Sequence, residues 1–229
     1  MSQVSCVSLP ILFPVGGSCH LPAACLHPHA PRPRRIASPR KSRLNRTVRN
    51  SLLIAAGFIA VTAAILYTMG QPLICKCGYV KLWHGVVVSS ENSQHLSDWY
   101  TPSHIIHGIL FFGFFTLILK KASINVRLAL ALVVECAWEI LENTDMVINR
   151  YRESTVSLDY FGDSVINSSA DILAMVVGFF LASRLPVWAS VALIVIFEAT
   201  TTYLIRDGLA LNILMLVWPI EAVKAWQGG

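Results

Sequence analysis

Three glutamates interrupt an apolar run, Leu128-Ala-Leu-Ala-Leu-Val-Val-Glu135-Cys-Ala-Trp-Glu139-Ile-Leu-Glu142-Asn143. Their spacing of i, i+4 and i+7 puts Glu135, Glu139 and Glu142 on one face of a helix. An ionisable side chain at the centre of a membrane-crossing helix costs about 2.5–3.5 kcal/mol on insertion scales, so a stripe of them needs compensating partners. Two other segments offer such partners at helical spacing. His104 and His107 stand at i, i+3, and Ser164, Asn167 and Asp171 repeat at three and four. Ionising Glu135, Glu139, Glu142 and Asp171 together in low dielectric requires countercharge, and no Lys or Arg falls within these stripes. Three remedies exist: protonated carboxyls, imidazolium at His104 or His107, or a bound divalent cation. Imidazole and carboxylate without thiolate suit zinc, manganese or non-haem iron, whereas oxygen ligands alone suit magnesium or calcium. The candidate metal ligands are therefore His104, His107, Glu139, Glu142 and Asp171, with Glu135 as catalytic base or as support behind the ligands.

Plain structural readings stand beside these. His104 and His107 fit a pair of core histidines bonded to neighbouring helices, and Asp163 fits a helix N-cap. Glu142-Asn143 fits a helix end among headgroups. Asn167 and Ser168 fit interhelical hydrogen bonding. Glu135, Glu139 and Asp171 resist such readings, because intramembrane carboxylates are functional by default.

The elements that must position these stripes follow from composition. Of the 229 residues, 55% are hydrophobic and only 14% charged, with a mean hydropathy of +0.59. A soluble domain carries about 25% charged residues. The pattern predicts an all-α, polytopic transmembrane helical bundle of about six spans. The spans fall at about Val48–Met69, Thr101–Leu119, Leu128–Asn143 (beginning after Arg127), Asp163–Ser183 and Val187–Ile205. A shorter sixth, about Leu209–Val223, carries Pro219 and Glu221 and has an alternative place along the interface. Thr101 is a good N-cap and Pro102 suits the first helical position. Glu198 lies mid-span beside Thr200–Thr202, where it extends the polar network or pairs with a neighbouring helix. Between the first two spans a polar loop carries Trp83 and Trp99-Tyr100 as interfacial anchors, with His84 and His95 placed to fold over the site. A charged loop with Arg150, Arg152, Glu153 and Asp159 follows the third span.

Residues 1–47 form a basic, acid-free block, expected to be disordered, that stands apart from the transmembrane helical domain at 48–229. Eight of the 18 basic residues precede residue 50, and the remainder carries ten basic against 13 acidic residues. The block is read as the product of a start codon placed too far upstream or as a free cytoplasmic tail. Its position against the first apolar run is a topology signal. No aromatic-rich module accompanies it, which argues against nucleic-acid binding. Lys120, Lys121, Arg127, Arg184 and Lys224 share the side of the block if spans alternate. Both termini are then cytoplasmic, and the site faces outward from a bacterial inner membrane. Cys75-Lys-Cys77 is too tight for a zinc ribbon, and a bridge between its two sulfurs would be strained, leaving a disulfide or a copper contact as lesser readings.

Five strings resemble a family when taken together. They are Gln71-Pro-Leu-Ile-Cys-Lys-Cys-Gly78, Ser97-Asp-Trp-Tyr-Thr-Pro-Ser-His-Ile-Ile-His-Gly108, Trp138-Glu-Ile-Leu-Glu-Asn143, Gly162-Asp-Ser-Val-Ile-Asn167 and Leu211-Asn-Ile-Leu-Met-Leu-Val-Trp-Pro219. The family is an uncharacterised, domain-of-unknown-function group of multi-pass inner-membrane proteins of alphaproteobacteria. The resemblance runs from about residue 48 to the end. It implies location and multi-pass architecture, and it implies no activity or substrate. Three functional readings remain open. The first is a metal-assisted membrane hydrolase or transferase acting on a lipid or envelope precursor. The second is a proton-coupled transporter with Glu135 and Asp171 as titrating groups, against which the apolar inner halves of the spans count. The third is a non-catalytic scaffold. The expected partners are the lipid bilayer and a small lipid or envelope substrate, with no nucleic acid.

Overall fold

A computed structural model describes residues 39–155 and 159–228. Most of the basic block 1–47 lies outside the described residues. Among those described, the structure is helical throughout: α1 (Pro39–Thr68), α2 (Thr101–Ile118), α3 (Ile124–Glu142), α4 (Asp145–Ser154), α5 (Val165–Ala182), α6 (Val187–Ile205), α7 (Leu209–Val217) and α8 (Glu221–Gly228). Four helices, α1 over Arg46–Thr68, α2, α5 and α6, are long and apolar enough to cross a membrane. Helix α3 has 19 residues, a length of about 28 Å at 1.5 Å per residue. It also carries three glutamates and Arg127, and those glutamates are buried.

Helix α3 packs among α1, α2 and α5. Leu128, Ala131, Leu132 and Cys136 of α3 meet Ala55 of α1, Phe115 of α2 and Ile172, Met175, Val176 and Phe179 of α5 in one core. Outward-facing Leu52, Leu53, Val61, Leu117, Val133, Val177 and Val195 stay exposed. An apolar exterior on this scale belongs against lipid rather than water.

The tightest contact in the bundle is between α2 and α5. A Cβ on Gly108 would lie 1.9 Å from the carbonyl oxygen of Met175, and one on Gly178 would lie 2.0 Å from that of Ile105. The two backbones therefore touch, as small residues permit at helix crossings in membranes. Both helices start at the same end of the bundle, where Thr101 Oγ1 meets Asp171 Oδ1 at 3.3 Å, and Phe112 packs edge-on against Phe179 further along.

Helix α3 runs the other way. Ser51 Oγ, within α1, donates to Asn125 Oδ1 where α3 begins, and Gln71 Nε2 donates to the Asn143 carbonyl just past where both helices finish. The starts of α2 and α5 thus share one end of the bundle, the site end, with the finish of α3. Cap details differ from expectation. Tyr100, not Thr101, is the N-cap of α2. Ser164, not Asp163, caps α5, its hydroxyl accepting from the Asn167 N–H.

The expected charged loop after α3 contains the short helix α4, with Asp145 in its first turn and Arg152 in its last, as the helix dipole favours. The expected sixth span is divided at Trp218-Pro219 into α7 and α8, of nine and eight residues. Proline has no N–H to continue α7 and pushes the residue before it out of the helical region. Neither piece, at about 12–14 Å, matches the roughly 30 Å of a bilayer's hydrocarbon. Both stay at the site end. Arg150 Nε donates to the Leu216 carbonyl and Tyr151 Oη to Asn212 Oδ1. Lys224 Nζ bonds the Glu153 carbonyl, and an Arg206 guanidinium nitrogen bonds that of Trp226. Helix α8 therefore lies at the end opposite the start of α3. Glu198 pairs with a neighbouring helix, α7, rather than joining the lining of the site. Its carboxylate accepts from the backbone N–H groups of Leu209 and Ala210 and caps the start of α7.

The glycine contact gives a direct test. Gly108→Ala and Gly178→Ala should each destabilise the protein in detergent by at least the 1–3 kcal/mol typical of overpacking. Gly57→Ala and Gly113→Ala, whose Cβ positions meet nothing within 4 Å, should leave thermal melting unchanged or slightly raised.

Candidate functional site

The α2–α5 crossing sets the position of the histidines. One turn before Gly108, His104 is buried beside Asp171, with His104 Nε2 3.9 Å from Asp171 Oδ2. Helix α3 then supplies Glu135 between the two imidazoles. Its carboxylate lies 2.7 Å from His104 Nδ1 and 3.0 Å from His107 Nδ1. The next turn of α3 brings Glu139, whose Oε1 is 3.4 Å from His104 Nδ1. Glu135 and Glu139 are completely buried.

The six residues expected at the site do converge, but as two adjoining groups rather than one shell. Ligand-capable atoms of His104, His107 and Glu135 lie within 4.8 Å of one another, and so do those of Glu139, Glu142 and Asp163. Asp171 belongs to neither group; it stands 3.9 Å from His104 Nε2 and accepts from the Thr101 hydroxyl. Glu135, read as a base, is the carboxylate nearest both histidines. Asp163, read as a cap, stands with Glu139 and Glu142. Tyr160 Oη donates to Asp163 Oδ1 at 3.0 Å, Asn143 Nδ2 reaches Oδ2 at 3.3 Å, and the Asp163 N–H donates to Asn143 Oδ1 at 2.7 Å. Gly162 delivers it with φ of +92°, where a Cβ would collide with Gln71 and Asn143. The signal for Asp163 was its place after a turn glycine, but a carboxylate two residues before a helix looks the same whether or not it caps.

A cavity of about 130 Å³ opens over these groups. At about 30 Å³ per water it holds a few waters or a small polar group. Its lining combines Ser103, His104, Glu142, Asp163, Asn167 and Asp171 with aromatic groups that include Tyr100, Trp138, Tyr151 and Tyr160, and among the described residues no Lys or Arg lines it. The loop between α1 and α2 closes over it. Gln94 Nε2 donates to the Gly162 carbonyl, Asn167 Nδ2 to that of His95, and the Ser164 N–H to that of Ser93. Buried Asp98 accepts from the N–H groups of Ser93 and Tyr100. Burial still pushes its carboxyl above the ordinary carboxylate range. Asp207, after α6, accepts from Tyr100 Oη, and burial raises it to about 6 against the opposing hydrogen bonds.

Outside the cavity, Glu91 organises the same loop. It accepts from Lys81 Nζ at 2.6 Å, from Tyr79 Oη at 3.0 Å and from His95 Nε2 at 3.1 Å. These donors, Lys81 first, lower its carboxyl to about 2. Cys75 and Cys77 form a disulfide. The bridge judged strained from spacing alone thus closes, with the two Cα atoms 5.1 Å apart, inside the range usual for disulfides. His84 and His95 fold against Glu91 rather than into the cavity.

These carboxylates predict opposite pH trends. The folded Asp207 is raised above an unfolded value of 3.8, so its stabilising contribution is present below about pH 4 and lost as pH rises through 6. The loss is about 3 kcal/mol at 1.36 kcal/mol per unit. Glu91 is lowered from 4.5 to about 2, so its contribution is present above about pH 4.5 and lost as pH falls towards 2. Melting curves from pH 3 to 8 should show the Asp207 slope abolished by Asp207→Asn and the acid-side loss reduced by Glu91→Gln.

The chain belongs to the family described as protein of unknown function (DUF2585), which it matches over residues 66–229. It is 60% identical over 178 residues to a UPF0314 protein of Rhizobium meliloti (strain 1021), covering 78% of this chain and 90% of that protein. It is 60% identical over 174 residues to a UPF0314 protein of Paracoccus denitrificans (strain Pd 1222), covering 75% and 90%. A UPF0314 protein of Sphingopyxis alaskensis is 52% identical over 181 residues, covering 79% and 96%. No solved structure matches the chain. The apolar helices and these alphaproteobacterial relatives fit a bacterial membrane protein.

Proposed function

We propose that this DUF2585 protein is a multi-pass inner-membrane enzyme that performs metal-assisted hydrolysis or group transfer on a lipid or envelope precursor. In this reading α1 starts in the cytoplasm beside the basic block, Lys120, Lys121, Arg127 and Arg184, and the site end faces outward. The observation that carries the proposal is the placement of Glu135. It sits fully buried within 3.0 Å of imidazole nitrogens on two turns of α2, and those two histidines line a cavity on which no Lys or Arg stands among the described residues.

His104, His107 and Glu135 are the residues placed to hold a divalent ion. Asp171 supplies negative charge 3.9 Å from the other ring nitrogen of His104, beyond hydrogen-bond distance. A metal bound there would polarise an oxygen of the substrate and acidify a bound water. The neighbouring cavity supports a lipid-like substrate. About 450 Å³ in volume, it is lined by Met146, Val147, Leu216 and Val217 with Asn149, Arg150 and Glu153 at its polar side, and shares Trp138 and Ile213 with the site. An apolar chain in one cavity would set a polar head in the other. The second halves of α2 and α5, Leu110–Ile118 and Ile172–Ala182, offer no charged residue along a route to the far end, which favours an enzyme over a proton-coupled carrier.

Elemental analysis tests this reading. Protein purified without chelator should carry stoichiometric metal, and His107→Ala should lose most of it while keeping its helical content. Wild-type protein without stoichiometric metal, even after incubation with zinc or manganese, would overturn the proposal and leave the histidine–carboxylate network as a helix lock.

A further inference from the structure

The carboxylates left over once His104, His107 and Glu135 are assigned form a group of their own. Glu139, Glu142 and Asp163 are buried, at 0%, 8% and 3% exposure, and one oxygen of each lies within 4.8 Å of the others. Clustered acids alone are common. What separates this group is Glu139, a fully buried carboxylate neither of whose oxygens accepts a hydrogen bond. A buried carboxylate without a donor bears the full cost of desolvation. Its nearest cationic candidate, His104 Nδ1 at 3.4 Å, is already engaged by Glu135 at 2.7 Å.

We propose that the site is dinuclear, with Glu139, Glu142 and Asp163 holding a second divalent cation beside the first. The proposal rests on the metal reading of the neighbouring His104–His107–Glu135 group and deepens it. Five carboxylates, Glu135, Glu139, Glu142, Asp163 and Asp171, crowd this region. One divalent ion leaves three of those charges uncompensated, whereas two leave one. Glu139 touches the histidine group on one side and the carboxylate group on the other, the place of a residue shared between two ions a few ångströms apart. The second group is also held as ligands are held. Asp163 is oriented by Tyr160 and Asn143, and Asn143 Nδ2 is tied back to the Glu139 carbonyl at 2.8 Å. Such hydrogen bonds behind a ligand fix its direction. An all-oxygen set selects magnesium, manganese or calcium, whereas the histidine group also accepts zinc or iron. Manganese is the ion that both groups accept.

The test is manganese binding to the full-length protein in detergent, read by elemental analysis and electron paramagnetic resonance. Wild type should bind two Mn(II) per chain and give the spectrum of an exchange-coupled pair. Asp163→Asn and, separately, Glu142→Gln should halve the stoichiometry and restore the hyperfine pattern of isolated Mn(II). Each change keeps side-chain volume, and retained helical content identifies the variant that reports on the site if the other misfolds. One Mn(II) per chain in wild type, unchanged in both variants, would overturn the second site and leave the first standing. Two ions that both variants retain would place the second ion elsewhere and also overturn the proposal. No bound Mn(II), zinc or other metal in wild type would sink both readings together.

Discussion

The whole arrangement depends on the close approach of α2 and α5. Two helices that touch through Gly108 and Gly178 have no freedom to slide, because each glycine faces a backbone carbonyl across the contact. That pins the register of His104 and His107 against Asp171, one to two turns away. Helix α3 then has one groove to fill, and filling it with Leu128, Ala131 and Leu132 brings its glutamate stripe against the histidines. A bulkier residue at either glycine would shift the polar groups and the apolar core together. The packing and the site are therefore one constraint.

Burying so much negative charge is costly, and the protein limits that cost unevenly. Glu135 has two imidazole partners, Asp163 has Tyr160 and Asn143, and Asp98 has two backbone N–H groups. Glu139 has none of these. If helix locking were the stripe's only role, Gln would serve at position 139 without desolvating a charge. A fully donated network would also be expected, since partly satisfied buried networks are less stable than apolar packing. The unevenness favours a site that something else completes.

Much of this was legible in the sequence. The i, i+4, i+7 spacing of Glu135, Glu139 and Glu142 and the i, i+3 spacing of His104 and His107 give their faces, and hydrophobic length gives the long helices. Helical spacing alone says nothing about which faces meet. That information sits in Gly108 and Gly178, which read as ordinary glycines until the helices are docked. Asp163 and α4 escaped for a different reason. A carboxylate before a helix and a charged segment after one are both common in loops, and only tertiary contacts distinguish them. The Trp218-Pro219 break was visible as a proline, but its consequence depends on where the preceding turn aims the chain.

That turn shows why the C-terminal segment folds back instead of crossing. At the end of α6, Arg206 adopts a left-handed conformation with φ of +56°, and Asp207 is held by Tyr100 from α2's N-cap. Glu198, a full two turns earlier, captures the first N–H groups of α7. A carboxylate within a span thus becomes the anchor of a re-entrant helix, and α7 starts alongside α6 rather than beyond it. Leu209, Asn212 and Ile213 of that helix become a wall of the cavity. A sixth crossing would carry these residues away and leave the acidic groups open along one side. Folding back instead encloses them between α4, α7 and the α1–α2 loop, which lowers the local dielectric and strengthens every charge interaction inside. The same turn at Arg206 and break at Pro219 that fold the chain back therefore also close the site.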